Sequence, residues 1–204
     1  MPGNIERLAE HNASLRLQAA QFLFSEGTGR IASWIGELQK DEEFRNLLVP
    51  ERIERPYGDG LPWPRLTVGV AVLPETFEQI RAANDSPPLA NVPPDRDVLE
   101  FEVEFHQDSL PTLRVDILTT KAPGGGGAIA RFLEKFGEAI QQVEIDVTDV
   151  DRATQILREK FQLKPIYPAT VPGADGTRIN FFLVPTLDGK KVLVELVEQP
   201  KRTI

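Results

Sequence analysis

Ile140-Gln141-Gln142-Val143-Glu144-Ile145-Asp146-Val147 is the stretch on which the fold turns. Val143, Ile145 and Val147 alternate with Gln142, Glu144 and Asp146, the period of a strand with one buried face. Thr148-Asp149 then supplies a helix cap ahead of an amphipathic segment over 150–161. The same order occurs earlier. Leu66-Thr67-Val68-Gly69-Val70-Ala71-Val72-Leu73-Pro74-Glu75 is a strand-like run that leads into a short amphipathic segment over 76–83. Further on, Leu113-Arg114-Val115-Asp116-Ile117-Leu118 parallels Leu193-Val194-Glu195-Leu196-Val197, each with an acidic residue between two apolar ones. A repeat with one helix and several strands per copy predicts two paired modules. A ligand site is expected in the cleft their strands enclose.

The second copy, residues 138–199, is the more regular. After its helix it predicts a strand over 163–168, a turn at Pro172-Gly173-Ala174-Asp175-Gly176, and a strand over 178–184. A hairpin turn at Leu187-Asp188-Gly189-Lys190 and a last strand over 192–198 follow, giving β-α-β-β-β. The first copy, 65–122, is degenerate. Pro87, Pro88, Pro93 and Pro94 make 85–95 unfit for a central strand. Leu99, Phe101, Val103 and Phe105 then alternate with Glu100, Glu102 and Glu104, a half-buried strand whose glutamates read as solvated. A turn over 107–111 returns the chain through 112–119. Residues 123–137 join the modules through Gly124 to Gly127 and a short helix. The glycines read as a connector, since no Walker lysine accompanies them.

Ahead of the modules, residues 1–50 form a helical extension. Ile5, Leu8, Leu15, Leu17, Phe22 and Leu23 recur near helical spacing, as do Ile31, Trp34, Ile35, Leu38 and Phe44. Gly27-Thr28-Gly29 between the two sets predicts a break, hence a helical hairpin. Residues 51–64, with Pro56, Gly58, Gly60, Pro62 and Pro64, read as a linker.

A chain of 204 residues suffices for a substantial core. Its 41% apolar and 26% charged residues are ordinary for a globular protein. With 23 Lys+Arg against 31 Asp+Glu the net charge is −8, which disfavours nucleic acid as a partner. No apolar run approaches the roughly 20 residues of a membrane span. Met1-Pro2-Gly3-Asn4-Ile5-Glu6 lacks the basic head and apolar region of a signal peptide, so the expected location is the cytoplasm. Cysteine is absent, which excludes disulfides and thiol catalysis.

The residues also carry a resemblance. Ala128-Ile129-Ala130-Arg131-Phe132-Leu133-Glu134-Lys135 through Gly137-Glu138-Ala139-Ile140-Gln141-Gln142-Val143 resembles the inter-module stretch of methylmalonyl-CoA epimerases. So do Pro172-Gly173-Ala174-Asp175-Gly176 and Val192-Leu193-Val194-Glu195-Leu196-Val197-Glu198. These enzymes belong to the vicinal oxygen chelate superfamily, with glyoxalase I, bleomycin-resistance proteins and extradiol dioxygenases. The likeness is good over 128–199, weaker over 65–122 and absent over 1–60. It implies an α+β fold in which paired β-α-β-β-β modules form a cup-shaped mixed sheet, here with an N-terminal helical hairpin. It also implies a possible homodimer. Metal-dependent relatives hold a divalent ion in the cup. Where epimerases carry histidines this chain has Thr67 and Gln142, whereas the carboxylate positions survive as Asp116 and Glu195.

Loss of both imidazoles argues against zinc, nickel and iron chemistry. The histidines present, His11 and His106, stand elsewhere and read as solvated. The expectation is therefore no cofactor, with Mg²⁺ or Mn²⁺ on Asp116, Gln142 and Glu195 as the alternative. Strand parity turns Arg114, Asp116, Gln142, Glu144 and Glu195 to the cup, opposite small residues at Thr67, Gly69 and Ala71. Crowded carboxylates require a raised pKa or a cationic partner. Two readings lead, with a third behind them. One is a metal-free protein that binds a small molecule through Thr67, Arg114, Gln142 and Glu144. The other is an isomerase or lyase acting on a carbonyl or acyl thioester, with Glu195 and Asp116 as acid and base. A third is an interaction protein that uses its N-terminal helices, which exposed Trp34 or Phe22 would favour.

Overall fold

The computed structural model describes residues 2–51, 63–107, 110–186 and 189–201. Its elements begin with helices α1 (Pro2–Arg7), α2 (Ala13–Lys40) and α3 (Glu42–Arg45). Strand β1 (Leu66–Ala71), helix α4 (Pro74–Ala83) and strands β2 (Leu99–Phe105) and β3 (Leu113–Thr119) follow. Then come α5 (Ala128–Phe136), β4 (Ala139–Asp146), α6 (Val150–Glu159), β5 (Val171–Pro172), β6 (Arg178–Pro185) and β7 (Lys191–Glu198). They fall into two compact units, one of residues 1–27, 67–106 and 112–141, the other of 28–66, 107–111 and 142–204.

In the first unit β3 is the central strand, parallel to β1 and antiparallel to β2. Val68 pairs with Val115 and Val70 with Ile117, while Phe101 also lies across from Ile117. These residues form one sheet face, and they are buried with Ile5, Leu8, Ala20 and Leu23 of α1 and α2 and with Phe77 and Ile80 of α4. Phe77 meets Phe101 edge-on, with ring centroids 4.8 Å apart. The Asn84 side chain donates to the carbonyls of Ile80 and Leu8, which closes α4 and ties it to α1. The prolines between 85 and 95 lie in a segment with no strand, as expected, and this copy reads β1-α4-β2-β3.

In the second unit β4 and β7 are parallel, and β6 pairs antiparallel with both β7 and β5. Val143, Ile145, Val194, Leu196, Phe182 and Val184 share one face, and α6 packs on this sheet with Val150, Ala153, Ile156 and Leu157 buried. Asp149 caps α6 by accepting from the Arg152 amide at 2.9 Å. The α3 turn is pinned alongside, Arg152 bonding Glu43, and Lys160 bonding Asp41 at 2.7 Å and Glu43 at 3.1 Å.

Two expectations need correction. The extension is no hairpin, because α2 runs unbroken through Gly27-Thr28-Gly29. Gly27 lies on the buried stripe Ala20, Leu23, Gly27, Ile31, Ile35 and Leu38, and a Cβ there would stand 2.8 and 2.9 Å from the two methyls of Val68. It serves close packing rather than a break. Residues 163–168 form no regular strand. Their contact with β6 is an isolated bridge at Pro165 and Phe182, and the paired strand is the short β5 beyond them. Of the linker, Pro56, Gly58, Gly60 and Pro62 lie outside the described residues, as do the turn positions Asp108, Ser109, Leu187 and Asp188. At the linker's two ends, Val49 and Arg65 bond through their backbones, and so do Glu51 and Trp63.

Candidate functional site

In each unit the sheet has a second face, opposite α2 and α4 in the first and α6 in the second, and the candidate residues stand there; in the first unit α5 covers the Ala71 and Leu118 end of that face. In the first unit the register sets Asp116 across from Gly69 on one side and Glu102 on the other, with Arg114 across from Glu104. Thr67, Arg114 and Asp116 therefore share a face with Glu100, Glu102 and Glu104. The Thr67 hydroxyl donates to Glu102 at 3.3 Å. The Arg114 guanidinium, 8% exposed, donates to Glu104 at 3.0 Å. Glu102 and Glu104 are exposed, as expected of solvated carboxylates, and each also accepts a bond from this face. Alternation had separated them from the apolar side of β2, but the pairing of β2 with β3 is what brings them onto the face of Asp116. The cation that crowded carboxylates require is Arg114.

In the second unit Glu144 and Glu195 are Cα partners on adjacent parallel strands, so their side chains rise from the same face, as does Gln142. The Gln142 amide donates to Glu195 at 2.6 Å and to Glu144 at 3.0 Å. Gln142 and Glu195 are buried, at 6% and 7% exposure. On β7 and β6 the face becomes apolar. Leu193 lies across from Leu183, and Glu195 across from Phe181. Phe181 meets the Tyr167 ring edge-on at 6.0 Å, and Leu183 is 48% exposed. Asp146, expected on this face, is engaged at the strand end, paired with Arg65 at 2.9 Å.

The predicted set thus separates by unit. Thr67, Arg114 and Asp116 belong to one, and Gln142, Glu144 and Glu195 to the other, bonded directly to each other. Both histidines are exposed, and His106 lies 3.3 Å from the Thr112 hydroxyl.

The donor set does not fit a divalent ion. No three His, Cys, Asp or Glu side chains among the described residues gather closely enough to hold one. Moreover Gln142 brings only a neutral amide, a weak ligand beside an imidazole or a carboxylate.

Two polar residues escaped the sequence reading. Asn180, fully buried among the helix-facing residues of β6, accepts from the Tyr167 amide at 3.3 Å and donates to its carbonyl at 3.2 Å. Arg178 joins Asp151, Glu198 and Thr170 beside the start of α6. It borders a polar cleft of about 410 Å³ that Thr148, Asp149, Asp151, Arg152 and Glu198 also line. The Arg178 hydrogen bond holds the Asp151 carboxyl below its usual range.

Compared as a sequence, the chain matches no protein-family model and no curated protein. Solved structures do match. The methylmalonyl-CoA epimerase of Mycobacterium tuberculosis is 26% identical, with 66% of this chain and 87% of that one covered and a TM-score of 0.52. A Streptomyces coelicolor epimerase variant in complex with 2-nitronate-propionyl-CoA is 22% identical over 76% of this chain and 99% of that one, at 0.55. An epimerase in complex with methylmalonyl-CoA and ammonium is 23% identical over 75% and 97%, at 0.53. The chain has the vicinal oxygen chelate fold. The α+β class, the glyoxalase-like modules and the N-terminal helical addition expected from the sequence are those observed. No helix among the described residues is long and apolar enough to cross a membrane.

Proposed function

We propose that this protein binds an acyl thioester and moves the proton on the carbon next to its carbonyl, as an epimerase-like isomerase that uses no divalent ion. The observation that carries the reading is the Glu195 carboxylate, nearly buried and held at 2.6 Å by an uncharged donor. A carboxylate removed from water and fixed in place is the group such a step needs. In this reading Glu195 takes the α-proton, and the C–H electron pair passes into the thioester as an enolate. Reprotonation of the same carbon on its opposite face by a proton from water completes the exchange of hands, and Glu195 returns its own proton to solvent. On the other unit Thr67, Arg114 and Asp116 offer a hydroxyl, a cation and a carboxylate on one sheet face. Structural neighbours crystallised with methylmalonyl-CoA and with a nitronate CoA ester support this choice of ligand.

The arrangement at Gln142 favours one second reading, a metal-free binding protein without chemistry. Its amide cross-links Glu195 to Glu144, which occupies the carboxylate with a structural bond. Incubation of the protein with methylmalonyl-CoA in D₂O separates the two. Deuterium uptake at the α-carbon that is lost in Glu195→Gln supports the isomerase. Calorimetric binding of the thioester without uptake establishes the binding protein, and absence of both refutes the proposal.

A further inference from the structure

Gln142 stands two residues before Glu144 on β4 and across from Leu193 on β7, so its side chain rises among the carboxylates. One nitrogen, Nε2, donates to Glu195 Oε2 at 2.6 Å and to Glu144 Oε1 at 3.0 Å. Chemistry fixes the sense of this amide. Were its oxygen turned inward, three acceptors would meet with no proton between them. The two glutamates are direct cross-strand partners, a placement in which like charges repel. An amide that offers one N–H to each offsets that repulsion and removes the freedom of the Glu195 carboxylate to turn.

We infer that Gln142 is a positioning residue, an amide clamp that sets the orientation of the Glu195 carboxylate by bridging it to Glu144. The catalytic consequence rests on the proposed role of Glu195 as base, whereas the clamp itself does not. A fixed base reacts from one geometry, and misplacement by an ångström costs up to about 100-fold in rate. Loss of the clamp therefore lowers kcat and leaves the thioester's own contacts, hence KM, unchanged.

The test has two arms on the full chain. The first is the side-chain amide of Gln142 in a ¹⁵N–¹H spectrum, assigned as the pair absent from Gln142→Met. Glu195→Gln, which keeps the volume and removes the charge, is expected to move at least one proton of that pair upfield, the one aimed at Glu195. A pair left in place overturns the clamp. The second arm is deuterium uptake from D₂O into methylmalonyl-CoA by Gln142→Met and by Gln142→Asn, whose shorter amide cannot span both carboxylates. A fall in kcat of roughly 10- to 100-fold at constant KM is expected. A raised KM with kcat retained overturns positioning in favour of direct ligand contact. If the wild-type protein takes up no deuterium, the isomerase reading fails, and the amide spectrum still decides the clamp by itself.

Discussion

Gly27→Ala and Gly29→Ala, two residues apart on one helix, are expected to change stability in opposite directions. Within a helix, alanine is favoured over glycine by about 0.8–1.0 kcal/mol per residue, because glycine forfeits more backbone entropy on folding. At Gly29 nothing lies within 4 Å of an added Cβ, so that gain is realised in full, and Gly36, with the same open surroundings, should behave alike. At Gly27 the added carbon meets both Val68 methyls at 2.8 and 2.9 Å and the Val68 Cβ at 3.5 Å. Valine has a stiff χ1, and Val68 is fully buried in β1, paired with Val115. The obstacle therefore cannot swing aside, and overpacking of this kind costs about 1–3 kcal/mol. Set against the propensity gain, Gly27→Ala should lose up to about 2 kcal/mol, and the two alanine variants, which share that gain, should differ by the overpacking cost of about 1–3 kcal/mol. Urea unfolding followed by far-ultraviolet circular dichroism measures both. A double-mutant cycle with Val68→Ala, which removes the two clashing methyls, should show favourable coupling. Equal stability of Gly27→Ala and Gly29→Ala would refute the close approach of α2 to β1.

Other perturbations address the second sheet and its network. Asn180→Ala strips partners from the backbone of Tyr167 in a buried setting and should cost about 1–3 kcal/mol, measured by thermal unfolding; a neutral effect would contradict its bonds to that segment. Gln142→Leu should destabilise by about 1.5–3 kcal/mol because the Glu195 and Glu144 carboxylates lose a donor, and adding Glu195→Gln should recover much of the loss. Strict additivity of the two substitutions would count against the amide bridge. Arg114→Met should cost about 1 kcal/mol or less, because its partner Glu104 is 38% exposed and already solvated. The Asp41 carboxyl is held below its ordinary value chiefly by the Lys160 hydrogen bond, and that of Glu43 chiefly by the Arg152 hydrogen bond. Lowered carboxyl values contribute stability above their unfolded values, near 4, and lose it as the pH falls through the folded ones. The difference in urea midpoint between wild type and Lys160→Met should hold between about pH 5 and 8 and shrink toward zero in acid. Growth of that difference in acid would contradict the sign.

Much of this architecture was legible because strand parity is a rigid rule. Val143, Ile145 and Val147 could not turn inward together without placing Gln142 and Glu144 on the other face. The proline-rich run between 85 and 95 was legible for a similarly hard reason, since proline has no N–H to give a sheet ladder. Gly27 misled because helix propensity is local, whereas the reason for glycine there is a valine 41 positions later in the chain. The segment 163–168 misled in the same way. Its hold on β6 comes from a single backbone bridge, with the Ile166 amide donating to the Phe181 carbonyl at 2.8 Å, and from Asn180, whose buried amide bonds the Tyr167 backbone.

The site was legible as a face and not as a set of bonds. Glu100, Glu102 and Glu104 look alike in sequence, yet register puts Glu104 across from Arg114 and Glu102 across from Asp116, so one gains a guanidinium and another a threonine hydroxyl. The two units settle the same problem by different chemistry. On the first, negative charge is offset by a buried cation. On the second, Glu144 and Glu195 are bridged by a neutral amide. A guanidinium carries its charge wherever it points, but an amide stabilises a carboxylate only while its N–H groups are aimed at it. The second face therefore depends more steeply on geometry than the first. Shortening Gln142 by one methylene should disturb it further than the same shortening would disturb a flexible salt bridge. That steepness suits a residue whose work is to hold another in place.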